Sequence, residues 1–273
     1  MKIMILSRGY PTEQYKDNGI FEFDQAKALV NNGVDIIFAA VDIRSLRRWR
    51  RWGFEEKNVE GVKIYAVNLP VGRMPNTIKR WLGYVGLKLL YQRILQREGK
   101  PDLIHAHFPL QGYTAVRLKR KTNIPVVVTE HSSAIMAKQI DAEVRYLAAK
   151  SYQHADRIIV VSPALKEVVE REFSVKATYI PNMVDTNLFA FMERAHTGST
   201  RFLSVGLLIA RKGMDLLVEA FAEINKVYPE SRLDIIGDGP EKNRLEHQIS
   251  KHGLEGKVVL HGFMTREEIA ARM

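Results

Sequence analysis

The sequence predicts an α/β protein of two Rossmann-like, doubly wound parallel-sheet domains, the second incomplete. Three observations predict it. Short apolar runs alternate with longer segments of helical periodicity along the whole chain, the pattern of parallel strands covered by helices on both faces. The alternation lapses in the polar stretch MERAHTGST and restarts at RFLSVG (201–206), which divides the chain into domains 1–190 and 191–273. The second domain then offers three strands and stops inside a helix. A three-stranded parallel sheet leaves an open edge and an uncovered face, so the chain is expected to be part of a longer protein.

The elements follow in order. KIMILS (2–7) reads as a buried strand by its length and bounded ends, and FEFDQAKALVNNG (21–33) as a helix with Phe23, Ala26, Leu29 and Val30 on one face, ended by Gly33. VDIIFAAV (34–41) and KIYAV (63–67) are strands. NTIKRWLGYVGLKLLYQRIL (76–95) carries Ile78, Trp81, Leu82, Val85 and Leu89 along one helical face. DLIHAHF (102–108), PVVVTEH (125–131) and RIIVVS (157–162) are buried strands, with helices at 141–155 and 164–173. ATYIPN (177–182) leads into the linker. Beyond it, strands at 233–237 and 257–263 alternate with helices at 213–228 and 241–253. Thr265 and Glu268 form a capping box at the start of the last helix.

Composition narrows the function. With 46% hydrophobic and 26% charged residues the chain is globular rather than disordered. It has no cysteine, which excludes a disulfide scaffold, a cysteine-bound zinc and a thiol nucleophile, and suits a reducing compartment. The apolar run at the amino terminus is too short for a signal-peptide core, and no stretch has the length of a membrane-spanning helix. A cytoplasmic location is expected. The net charge of +10 is concentrated: residues 44–100 hold 14 Lys and Arg against 4 Asp and Glu, which equals the whole excess. One region is built for an anionic neighbour, and the rest is neutral.

Three strand-to-helix loops carry the chemical signals. In SVGLLIARKGMDLLVEAF (204–221) a strand ends at Gly206 and a helix opens near Gly213, with Arg211 and Lys212 at its start. Free N–H groups, the helix dipole and a lysine suit a phosphate or diphosphate, although an ordinary loop with a solvated lysine has the same spacing. IIGDGPEKNRL (235–245) places glycines where backbone approaches a ligand or turns tightly. SRGYPTEQYKDNGIF (7–21) is long for such a loop, and Gly19 at the next helix start has N–H groups to offer. Neither a Walker A loop nor G-x-G-x-x-G occurs. His105 and His107 share a strand face and suggest a metal pair, but no third ligand is evident; hydrogen-bonded strand-end histidines are the plainer reading. His131 ends a strand and points to the cleft where α/β proteins bind ligands.

Together these segments resemble the family-4 glycosyltransferases, retaining, nucleotide-sugar-dependent enzymes of the two-domain GT-B fold. The similarity runs in order through the amino-terminal loop and helix, PDLIHAHF, VVVTEHS, ADRIIVVSPALKE, YIPNMVDTNLF, VGLLIARKGMDLL and IIGDGPEKNRL. The resemblance implies transfer of a hexose from a nucleotide-sugar, UDP-linked on family grounds, with retention, without a metal ion and without a cofactor. It implies that Lys212, helped by Arg211, holds the donor diphosphate, that Gly19 lies near the acceptor and the transferred sugar, and that His131 is the catalytic residue beside the reacting centre. Gly262 and Phe263 would lie beside the nucleotide base. Leu207 stands where the family often has an arginine, and Met183 replaces a glycine. The family's E-x7-E segment falls beyond Met273, so a donor site completed elsewhere is expected and this chain alone is expected to be inactive.

RSLRRWRRW (44–52) sets Leu46, Trp49 and Trp52 three residues apart between arginines. With the 76–95 helix it suits the interface of an anionic membrane. The expected membrane-facing set is Arg47, Arg48, Trp49, Arg51, Trp52, Lys79, Arg80 and Trp81. A lipid-linked or cell-surface polysaccharide acceptor fits it, with peripheral docking on the inner face of the membrane. The alternatives are that the 76–95 stripe is core, that the chain is a non-catalytic module with the acceptor surface alone, or that it binds nucleic acid. The last is not expected, because no nucleic-acid-binding motif appears and the charge is local.

Overall fold

The computed structural model describes residues 1–15, 18–43, 52–72, 74–191 and 200–273. The chain divides into two compact units, Met1–Met183 and Val184–Met273.

The first unit runs β1 (Lys2–Ser7), α1 (Ile20–Asn31), β2 (Asp35–Ile43), β3 (Gly53–Val59), β4 (Val62–Leu69), α2 (Asn76–Glu98), β5 (Leu103–His107), α3 (Phe108–Thr122), β6 (Val126–Glu130), α4 (Ala142–Tyr152), β7 (Arg157–Val160), α5 (Pro163–Phe173) and β8 (Thr178–Tyr179). Its eight strands lie in the order β3-β4-β2-β1-β5-β6-β7-β8. All neighbours pair in parallel except β3 with β4. From β1 the chain moves out to β2 and later returns to β5 on the other side, so the loops after β1 and β5 diverge at a topological switch point.

The alternating side chains of the central strands feed two cores. Met4, Leu6, Ile37 and Ala39 pack under α2, α3, α4 and α5 with Leu87, Leu90, Val116 and Leu165. Ile3, Ile5, Ile36 and Phe38 pack on the opposite face against Phe23 and Ala26 of α1. Each fully buried aliphatic side chain in such a core contributes roughly 1.5–3 kcal/mol. Asp141 caps α4 by accepting from the N–H groups of Glu143 and Val144, and Ser162 caps α5 through Leu165.

The second unit has β9 (Arg201–Val205), α6 (Met214–Val227), β10 (Arg232–Ile236), α7 (Lys242–Lys251), β11 (Val258–Gly262) and α8 (Arg266–Ala270). Its parallel sheet has the order β11-β10-β9. Val218 and Phe221 of α6 and Leu245 of α7 bury against Leu233 and Ile235. The capping box of Thr265 and Glu268 is present as expected.

Three elements were not legible as such. The run GFEEKNV forms β3, a charged antiparallel strand held by pairing with β4 rather than by its own hydrophobicity. α3 follows β5 without a loop, and β8 is two residues long. Helix α2 is present, but its core face is Gly83, Gly86, Leu87, Leu90, Tyr91 and Ile94. The stripe read from the sequence lies off this face: Ile78, Trp81 and Leu89 are exposed and Leu82 and Val85 are half-buried, so the alternative that the stripe is core does not hold. Small residues decide this orientation. A Cβ on Gly86 would lie only 3.1 Å from Val41 Cγ1, so the helix sits close to the sheet along its glycine side.

Candidate functional site

In the first unit the site is built at the carboxyl ends of β1, β5 and β6. The loop after β1 folds back on itself. Gly19 takes a left-handed conformation (φ 70°) at the start of α1, and its Cα faces the Gly9 carbonyl so closely that a Cβ would lie 2.2 Å from that oxygen. Ser7 Oγ lies 2.8 Å from Gly9 O and 3.0 Å from Glu22 Oε1. Burial pushes the Glu22 carboxyl above its ordinary range.

His105, His107 and His131 form a row. The rings of His105 and His107 stack at 4.5 Å and those of His107 and His131 at 5.2 Å. His105 Nε2 lies 2.7 Å from Thr129 Oγ1, and His107 Nδ1 lies 3.0 Å from His131 Nε2. Burial lowers His131 and His105 to about 4, and His107 falls well below the usual imidazole range for the same reason; the Arg8 guanidinium adds to the effect at His131, while Asn182 opposes it. All three are neutral at physiological pH. The two strand histidines are thus committed to hydrogen bonds, and among the described residues no three His, Asp or Glu side chains are placed to share a metal ion.

His131 lines an open pocket with Phe21, Gln25, His107, Ile180 and Asn182. Gln25 Oε1, His107 Nε2 and His131 Nδ1 are buried and have no hydrogen-bond partner. Three such atoms around one pocket mark a polar binding place, because buried polar atoms are otherwise satisfied.

Sequence reasoning missed several neighbours. Phe108 has φ 69°, a strained value for a bulky residue. Its ring lies 5.2 Å from that of His131, and the Arg8 guanidinium sits 4.6 Å above it. Glu130, next to His131, is fully buried; its carboxylate accepts from the Tyr152 hydroxyl and, at 2.5 Å, from the Ser132 N–H. Burial raises its pKa to about 7. Position was the only available signal: Arg8, Phe108 and Glu130 all lie at the carboxyl ends of strands already assigned.

In the second unit a glycine ends or directly follows each strand: Gly206 after β9, Gly237 after β10 and Gly262 at the end of β11. The Gly206 N–H donates to Ile236 O at 2.9 Å, and the Gly237 N–H to Gly262 O at 2.8 Å. A Cβ on Gly237 (φ 148°) would lie 1.9 Å from Gly206 O. This close backbone packing sets the loop that leads through Arg211 and Lys212 into α6. Both cations are exposed, and neither forms an ion pair among the described residues. The acid in the first turn of α6, Asp215, is instead engaged by Arg244 at 3.1 Å. Gly262 and the exposed Phe263 lie at the same edge of this sheet.

Of the expected membrane-facing residues, Arg47, Arg48, Trp49 and Arg51 lie outside the described residues. Trp52 and Trp81 are exposed. Arg80 is corrected: it turns inward, pairs with Glu143 at 2.6 Å and stacks over Tyr146. A carboxylate and a ring close by satisfy its guanidinium better than open solvent does.

Two Rossmann-like units, each with its loops gathered at strand carboxyl ends, define the GT-B class of fold. Residues 23–188 match Glycosyltransferase Family 4, and residues 187–273 match Glycosyl transferases group 1. The chain belongs to glycosyltransferase family 4. It is 31% identical over 215 residues to a phosphatidylinositol N-acetylglucosaminyltransferase subunit of Arabidopsis thaliana, covering 77% of this chain and 47% of that protein. It is 25% identical over 240 residues to alpha-D-kanosaminyltransferase of Streptomyces kanamyceticus, covering 76% and 62%. The chain therefore spans about half to three-fifths of these relatives. Among solved structures, sucrose-phosphate synthase from Thermosynechococcus elongatus superposes with a TM-score of 0.74 at 20% identity, covering 100% of this chain and 73% of that one. Anabaena HepE in complex with UDP and glucose gives 0.63 at 18%, covering 97% and 70%.

Proposed function

We propose that the protein transfers a hexose from a UDP-sugar to a lipid-linked or cell-surface polysaccharide acceptor, with retention and without a metal ion. The observation that carries the reading is the pair of uncommitted cations, Arg211 and Lys212, at the start of α6. There they add full charges to the N–H groups and dipole of a helix end, the arrangement that stabilises a diphosphate leaving group. The solved HepE structure contains UDP and glucose, which supports the nucleotide. His131, neutral in its pocket, would face the reacting sugar, and the Gly19 turn would lie beside the acceptor. Gly262 and Phe263 would lie next to the base. The retaining, metal-free course rests on the family resemblance.

Lys212→Ala is expected to weaken UDP binding roughly ten- to hundredfold, the cost of losing a charge-assisted contact. Calorimetry at low salt measures it, and unchanged affinity would refute the role.

The reading extends to a membrane surface. Ile78, Trp81, Leu89 and Leu95 project from one side of α2, and Lys79 and Lys88 form no ion pair among the described residues. No helix among the described residues is long and apolar enough to cross a membrane, so docking would be peripheral, on the anionic inner face. Each cation near such a surface adds about 1 kcal/mol. Vesicles rich in phosphatidylserine should co-sediment the protein at low salt, and Trp81→Ala combined with Leu89→Ala should abolish it. Absence of binding by the unsubstituted protein sinks this part of the reading.

A further inference from the structure

We propose that Glu130 is a positioning residue for His131: its carboxylate closes the turn that follows β6, and the Tyr152 hydroxyl anchors that carboxylate to the end of α4. The inference rests on the proposed sugar-transfer site, since it gives that site's histidine its place. The contacts themselves all lie within the first unit.

His131 stands between two fixed neighbours. Before it, Glu130 ends β6 with no exposed surface. After it, Ser132 commits its N–H, its hydroxyl oxygen and its carbonyl to the turn. The N–H donates to Glu130 Oε1 at 2.5 Å, Oγ accepts from the Ala134 N–H at 3.1 Å, and the carbonyl accepts from the Ile135 N–H at 3.2 Å. Ile135 is buried in the core and holds the far end of the turn. The backbone N–H of His131 also favours the ionised Glu130 carboxyl. The second oxygen, Oε2, accepts from the Tyr152 hydroxyl. Tyr152 is the last residue of α4, and its ring meets Phe173 of α5 edge-on at 5.1 Å. One carboxylate therefore joins the backbone around His131 to two helices. With that backbone fixed, the His131 ring is delivered to Phe108 at 5.2 Å and to His107 Nδ1 at 3.0 Å.

Stability alone does not account for a carboxyl here. β6 is already paired on both sides, with β5 and β7. Desolvation outweighs the bonds that Glu130 accepts and raises its pKa to about 7. A well-packed neutral side chain would avoid that cost. What the carboxylate adds is two acceptor oxygens, one for the turn and one for the anchoring hydroxyl, where a glutamine has a single acceptor oxygen.

The test is the rate at which diethyl pyrocarbonate modifies each histidine of the whole chain at pH 8, without nucleotide-sugar, read by peptide mass spectrometry. Both ring nitrogens of His131 are covered in the closed turn, Nε2 by His107 and Nδ1 by burial. Its modification waits for the turn to open. Glu130→Gln should raise the His131 rate roughly tenfold, the effect of one lost charge-assisted hydrogen bond. His105, buried on β5 outside the turn, is the internal reference and should keep its rate. If Glu130→Gln does not fold, Tyr152→Phe carries the test: it removes the anchor alone and should raise the His131 rate by roughly two- to fivefold. An unchanged His131 rate in the folded variant overturns the proposal, because the turn then holds itself. A rise shared equally by His105 also overturns it, because Glu130 then acts on the fold as a whole. Neither result depends on sugar transfer, so failure of the enzymatic reading, seen as no response to UDP-sugars, is recorded separately.

Discussion

Gly19→Ala is expected to lower the stability of the first unit by about 2–4 kcal/mol, among the largest effects of any single methyl group here. Two costs combine. An L-residue at φ 70° carries a penalty of roughly 1 kcal/mol. The added Cβ would also stand 2.2 Å from the Gly9 carbonyl oxygen, a backbone atom that no rotamer change can remove. Relief requires opening the loop between β1 and α1. That would separate Gly9 from Ser7, and Ser7 from the buried Glu22. The start of α1 is involved too, because the Phe23 N–H donates to Gly19 O at 2.9 Å. A urea titration of both proteins measures the difference. A midpoint change equivalent to less than about 0.5 kcal/mol, the scale of an ordinary surface substitution, would mean that the loop has another closed conformation available.

The second large effect concerns pH. Glu130 is fully buried and its folded pKa is raised from 4.5 to about 7, with desolvation as the main cause and the bonds from Tyr152 and Ser132 opposing it. A carboxyl raised on folding stabilises the fold fully below its unfolded value. That contribution is lost as pH rises through the folded value. At about 1.4 kcal/mol for each unit, the loss between pH 4.5 and pH 8 is roughly 3 kcal/mol. Other groups titrate in the same window, the three histidines in the opposite sense, so a single curve does not isolate it. The difference between Glu130→Gln and the unsubstituted protein does. Glutamine keeps the shape and never ionises, so its stability relative to the glutamate should improve by about 2–3 kcal/mol from pH 5 to pH 8. Parallel curves would show that Glu130 ionises freely in the folded state.

The architecture was readable because it depends on periodicity. The strands KIMILS and PVVVTEH and the helix over 213–228 declare themselves by apolar spacing, and β1, β6 and α6 fall on them. On α2 the exposed apolar stripe was readable, but the face that meets the sheet was not, because it depends on the fit of Gly83 and Gly86 against Val41 and Thr114. No moment of hydrophobicity encodes that. β3 failed for a related reason, since a polar strand is defined by its partner and not by its own residues. In their separate units, Lys212 and His131 were expected at element ends from spacing alone, and each lies at one: Lys212 just before α6 and His131 just after β6. Arg8, Phe108 and Glu130 were not, because their roles arise from contacts between strands that are far apart in sequence. The separation of Arg80 from the other cations likewise comes from Glu143, 63 residues away.

The outer strands of the large sheet also bear on how safely the chain folds. β3 presents Glu55, Glu56 and Lys57, and these charges are tied into ion pairs, Glu56 with Arg93 and Glu55 with Lys57. An incoming strand would have to displace them. At the other margin β8 offers only two residues, too few to template a neighbour. Exposed strand margins are where partly folded chains join one another, and charge and brevity are two ways by which natural proteins prevent it. β3 is poor in hydrophobic contacts, and its composition is explained by this duty: it keeps a long parallel sheet, slow to assemble because its pairings are distant in sequence, from growing into its neighbours.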